Sequence, residues 1–155
     1  MTDDRPLCAS VMNSRQFVDL EYKQNAGITE EAVKDIVYQQ LTRDGYSAKK
    51  SSPRGKGADI EGWSSQKGGV VVEAKGEGSR PEMFHNFFLA ALGQIVMRMS
   101  EENTRYVIAL PIHEKFVRLV RGVSQHALKK LNLEFWLVGA DPIRYSIHIL
   151  YPNAP

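Results

Sequence analysis

The stretch Gly57-Ala58-Asp59-Ile60-Glu61-Gly62-Trp63-Ser64-Ser65-Gln66-Lys67-Gly68-Gly69-Val70-Val71-Val72-Glu73-Ala74-Lys75-Gly76 decides how the rest of the chain is read. Asp59 to Trp63 has the length of a short strand, Ser64 to Gly69 is turn-rich, and Val70 to Lys75 is a stronger strand. Side chains alternate along a strand, so Glu73 and Lys75 share one face while Val72 and Ala74 share the other. The Val-Val-Val run before them suits a strand buried on both faces, where two charges are costly unless they pair with or bind something. An antiparallel return through the turn brings Asp59 beside Glu73. Two carboxylates meeting at a strand end with a lysine nearby suit a hard divalent cation such as Mg2+, which takes one or two protein carboxylates and keeps several waters. Glu-x-Lys on a strand is also a common solvated ion pair, and that reading stands beside the first.

Upstream, Thr29 is a good N-cap, Glu30 and Glu31 suit the positive end of a helix dipole, and Gly45 suits the stop. Val33, Ile36, Val37 and Leu41 fall on one helical face. Tyr46 to Lys50 predicts a strand, followed by a basic loop, Ser51 to Gly57. Downstream, Pro81 to Met99 predicts a helix, Tyr106 to Leu110 a strand, and His113 to Leu131 a helix. Leu133 to Val138 and Tyr145 to Leu150 close as strands. Adjacent strands pair as a meander, and strands separated by helices pair in parallel through crossovers. The expected class is α/β, a mixed sheet flanked by helices, with core order α-β-β-β-α-β-α-β. Residues 1–28 show no clear period and read as an arm or leading helix before a single domain, 29–155.

Composition narrows the options. The chain has 155 residues, 43% hydrophobic and 25% charged, which suits one globular domain. Its net charge of +2 means that binding to nucleic acid has to come from a local patch. One cysteine, Cys8, excludes an internal disulfide and a multi-cysteine metal site. An acidic, non-apolar N-terminus and the lack of a long apolar run lead to the expectation of a cytoplasmic protein without a membrane span. His85, His113, His126 and His148 show no metal-ligand spacing.

Gly57-Ala58-Asp59 followed by Glu73-Ala74-Lys75 resembles the signature of the PD-(D/E)XK, or restriction-endonuclease-like, nuclease superfamily. The chain departs from it at Ala58, where the family often has proline. Glu30, fifteen residues before Gly45, is similar in placement to the first-helix acid of the VRR-NUC and Holliday-junction-resolvase-like branches. Ala91-Leu92-Gly93-Gln94 resembles a helix of the XisH-like element-excision factors. The resemblance implies a restriction-endonuclease-like fold and a Mg2+-dependent phosphodiesterase, with Mn2+ as a substitute, that cleaves nucleic acid as an endonuclease, DNA before RNA. It implies that Asp59, Glu73 and the Ala74 carbonyl hold the metal and that Lys75 orients or deprotonates the attacking water. Glu30 and Gln94 would position water and a second ion. Glu30 serves equally as a dipole complement, and Gln94 equally as a half-buried structural amide.

Arg43, Lys49, Lys50, Arg54 and Lys56 set five positive charges against one acid, Asp44, across fourteen residues just before Asp59. Lys49, Lys50, Arg54 and Lys56 are the expected phosphate contacts, with a solvated charged loop as the alternative. Arg118, Arg121, Lys129 and Lys130 fit the polar face of an amphipathic helix. Trp63 and Trp136 read as core or edge aromatics, with base stacking the lesser option. Two readings compete with the nuclease: a non-catalytic nuclease-fold protein working through a protein partner in a mobile-element or phage system, and an α/β domain whose charges are structural. Many relatives in the superfamily are dimers, so a homodimer is expected as an option.

Overall fold

A computed structural model of the chain describes residues 5–22, 27–51, 55 and 57–154. The chain opens with strand β1 (Leu7–Met12) and the one-turn helix α1 (Ser14–Val18), followed by helix α2 (Glu30–Arg43). Three strands come next, β2 (Ser47–Lys50), β3 (Ile60–Ser64) and β4 (Gly68–Ala74). Helix α3 (Pro81–Met97) leads to β5 (Thr104–Pro111), and helices α4 (Glu114–Arg121) and α5 (Gln125–Leu131) lead to β6 (Leu133–Ala140) and β7 (Tyr145–Leu150).

The seven strands form one mixed sheet in the order β1-β7-β6-β5-β4-β3-β2. β2, β3 and β4 pair antiparallel as a meander, and β4–β5 and β5–β6 pair parallel across their helical crossovers. One core cluster joins α2 to Ile60, Val70, Val72, Val107, Trp136 and Ile147. The other joins α1, α3, α4 and α5 to Ile108, Leu110, Phe135 and Leu137. The sheet is therefore covered on both faces, as parallel strands demand. From α2 to β6 the expected core order holds, consistent at that level with a restriction-endonuclease-like core.

Local chemistry explains the boundaries. Thr29 Oγ1 accepts the Ala32 N–H at 3.1 Å to start α2, and Gly45 at φ 92° releases the chain into β2. Pro81 occupies the first turn of α3, where its missing N–H costs nothing.

Two expectations change. Residues 7–12 are an edge strand parallel to β7, and the helix after it is a single turn with an Asn13–Gln16 capping box. Only Leu7 and Met12 of β1 are buried, so the segment carries no alternation to read. The helix expected over His113 to Leu131 is two helices. Gly122 ends α4, and Ser124 Oγ accepts the Ala127 N–H at 3.1 Å to cap α5, so a continuous apolar pattern conceals a break. Among the described residues no helix is long and apolar enough to cross a membrane.

Candidate active site

The β3–β4 register pairs Ile60 with Val72, and its next step outward sets Asp59 opposite Glu73. Glu73 lies in β4 and is 4% exposed. Asp59 Oδ2 accepts the Ala74 N–H at 2.8 Å, which fixes its carboxylate against the end of β4. The Asp59 carbonyl accepts the Ser51 N–H at 2.9 Å, which carries the ladder on to β2. The two carboxylates thus stand side by side where β3 begins and β4 ends.

Each carboxylate has a cation that the sequence did not single out. Lys34, on α2 and 8% exposed, places its Nζ 3.4 Å from Asp59 Oδ1, 3.4 Å from Glu30 Oε2 and 3.4 Å from Glu31 Oε1. Arg98, just beyond α3, donates from Nε to Glu73 Oε1 at 2.7 Å. Burial works against the charge on Lys34, but the Asp59 and Glu30 carboxylates outweigh it and hold its pKa above the ordinary lysine value. For Glu73 burial dominates and raises the pKa; Arg98 opposes this, and the neighbouring Asp59 adds to it. A buried glutamate held between a like charge and an arginine is poised to accept a further cation.

The remaining expected residues fall into two groups. Lys75 lies one step past β4, its N–H donating to the Ala109 carbonyl at 3.1 Å, and its ammonium has no ion pair among the described residues. Strand alternation sets it on the Glu73 side of the sheet. Glu30 reaches Asp59 only through the Lys34 ammonium. Gln94 is exposed and its side-chain amide makes no hydrogen bond among the described residues. The polar residue of this helical row that does reach a carboxylate is Arg98, one turn later. Arg98 stands at the helix end, where a long side chain can bend back to the sheet.

Close packing holds α2 to the end of β4. A Cβ on Gly76 would stand 2.4 Å from the Glu30 backbone nitrogen, so only glycine lets the start of α2 approach this closely. The Glu77 N–H donates to the Ile28 carbonyl at 3.0 Å, and Gly27 N–H donates to Glu77 Oε2. The second Glu77 oxygen is buried and without a hydrogen-bond partner among the described residues.

The expected basic cluster divides. Lys49 stands opposite Glu61 on the sheet face that carries Asp59 and Glu73, whereas Lys50 falls on the α2 face. There Lys50 pairs with Asp35 at 2.6 Å. Arg43 donates to the Leu7 carbonyl at 2.8 Å, and Lys67 to the Asp44 carbonyl at 2.6 Å. Arg54 and Lys56 lie outside the described residues. Trp63 occupies the Asp59 face of β3 and is 57% exposed, while Trp136 is fully buried. A cleft of about 400 Å³, lined among others by Glu61, Trp63, Val71, Met97 and Arg98, opens on that side.

Asp59, Glu73 and the Ala74 carbonyl are hard oxygen donors in number and kind suited to Mg2+. Among the described residues no three His, Cys, Asp or Glu side chains group at a metal position. Comparison with protein-family models, curated proteins and solved structures returns no match for this chain.

Proposed function

We propose that the chain is a Mg2+-dependent phosphodiesterase that cleaves nucleic acid, DNA in the first instance, as an endonuclease of the PD-(D/E)XK kind. The observation that carries this reading is the juxtaposition of Asp59 and buried Glu73 across the β3–β4 pair, with Lys75 next on the same side. Asp59, Glu73 and the Ala74 carbonyl would hold the ion. When bound, the ion supplies an acidified water and neutralises charge on the phosphate in the transition state. Lys75, with no ion pair among the described residues, is available to orient a water or to stabilise charge on a phosphate oxygen. Ala74 N–H fixes the Asp59 carboxylate, and Arg98 fixes that of Glu73, so neither ligand has to be ordered at the moment of binding. Glu30, through Lys34, holds the far side of Asp59.

A second reading has one observation in its favour. Lys34 and Arg98 already satisfy the two acids, as in a nuclease-fold protein that works through a partner without turnover. One experiment separates the two readings. Linear, nicked, branched and single-stranded substrates are incubated with the protein in Mg2+, Mn2+, Ca2+ and chelator. Cleavage in Mg2+ or Mn2+ that chelator and Asp59→Ala both abolish supports the enzyme. Equal activity in chelator, or full activity of the Asp59→Ala protein, refutes the mechanism. Inactivity on every substrate favours the partner reading.

A further inference from the structure

We propose that Lys34 is a resident cation of the site: its ammonium fills the place between Glu30 and Asp59 that a second divalent ion would otherwise take, so the chain binds one ion and not two. This inference rests on the metal reading above and specifies its stoichiometry.

Three observations support it. The first is the geometry of the contact. A lysine committed to one carboxylate makes a charge-assisted hydrogen bond of about 2.7–2.9 Å. The Lys34 ammonium instead stands 3.4 Å from each of three carboxylates, the placement of a centred ion and not of one partner in a pair.

The second is its place relative to the ligands. Paired catalytic ions lie about 3.5–4 Å apart around shared oxygen ligands. Asp59 is shared between the two: its Oδ1 stands by Lys34, its Oδ2 accepts the Ala74 N–H, and its carboxylate interacts with that of Glu73. A single ion beside Glu73 would therefore find the Lys34 side of Asp59 already neutralised.

The third is charge. Glu30, Glu31 and Asp59 find their only ion pair among the described residues in Lys34, so its loss leaves three neighbouring acids without a cation.

The position of Lys34 also explains how it stays charged while nearly buried. A lone ammonium at 8% exposure would be costly, and only the acids around it make the site tenable. The same acids would repel one another without it. Lys34 thus keeps Glu30 and Asp59 together when no metal is bound.

The test is isothermal titration of the full chain with Mn2+, paired with thermal unfolding in chelator and in saturating Mn2+. The wild type should take one ion per chain. Lys34→Met should take two, should melt below the wild type in chelator, and should recover the wild-type melting point in Mn2+. Lys34→Arg, which keeps the cation, should stay at one. Glu30→Gln, a change at a half-exposed acid, should leave the wild-type count at one and return Lys34→Met from two to one. If Lys34→Met does not fold in chelator, recovery of its melting transition in Mn2+ supports the inference, and an unfolded protein under both conditions overturns it. Lys34→Met with one ion at wild-type affinity also overturns it. A wild type that binds no Mn2+ removes the metal reading, and a single ion bound by Lys34→Met would still assign Lys34 the cation's place. No ion in either protein removes both.

Discussion

Glu73 is the residue on which stability and the proposed chemistry oppose one another. Its folded pKa lies above the ordinary glutamate value because burial disfavours its ionised form. A raised pKa means that the folded chain holds the proton more tightly than the unfolded chain does. Stability is then greatest below the unfolded value of about 4.3, falls as pH rises to the raised folded value, and is level above it. Glu73→Gln, the neutral isostere, is predicted to stabilise the metal-free fold at pH 7 and to flatten this part of the profile. It is also predicted to abolish cleavage. Chemical denaturation in chelator across pH 4 to 8 checks the first point, and a variant less stable than the parent at pH 7 would refute it. Asp59→Asn is predicted to behave differently. It weakens a charge-assisted hydrogen bond from Ala74 and removes a partner of Lys34, for a cost of about 1–3 kcal/mol. The Asp59–Glu73 pairing was legible from the turn and the alternation alone. Lys34 was not, because a lysine between Val33 and Asp35 looks like any solvated helix residue until the strand carrying Asp59 is folded against it.

At the scale of elements, the site depends on how α2 meets the end of β4. Gly76 allows that approach, and Ala at this position would put its Cβ against backbone, which has no rotamer to yield. Gly76→Ala is predicted to cost about 1–3 kcal/mol, the usual range for overpacking, and to weaken Mn2+ binding by moving Glu30 and Lys34 relative to Asp59. Denaturant melts and titration calorimetry check both parts; lower stability with unchanged metal affinity would show that α2 does not shape the site. Ser124→Ala, which removes the cap of α5, is predicted to cost about 1 kcal/mol and to leave metal binding unchanged. That cap is also why one helix was expected where two exist. Phe116, Val117, Val120 and Leu128 keep an apolar rhythm across the break, and Gly122-Val123-Ser124 interrupts the backbone without interrupting the pattern. The β1 strand was illegible for the opposite reason. It sits on the sheet edge with its middle exposed, so its place is set by parallel pairing with β7 and not by its own polarity.

For the whole molecule, the sheet sorts the positive charges that lie close together in sequence. Lys49 and Lys50 are neighbours in the chain but opposite in direction, one on the face with Asp59 and Glu73, the other paired to Asp35 on α2. Under the proposed function, a substrate over the carboxylates would meet Lys49 and not Lys50. Removing one lysine that neutralises a phosphate should reduce the slope of log affinity against log salt by about 0.9 on duplex DNA and about 0.7 on single strands. Lys49→Ala is predicted to lower the slope by that amount, and Lys50→Ala to leave it unchanged. Both affinities are read with the Asp59→Asn protein, in which cleavage is predicted to be lost, so that the substrate is not eroded. The two tryptophans supply an independent signal. Trp136 is buried and Trp63 is exposed on the face that carries Asp59 and Glu73, so quenching of the intrinsic fluorescence by an oligonucleotide would report Trp63. Quenching is predicted to saturate with the same affinity that the salt titration gives, and Trp63→Phe is predicted to remove it. Equal slopes for the parent and both lysine variants, with fluorescence unchanged by any nucleic acid, would take the substrate off this face and leave the paired carboxylates without the role proposed for them.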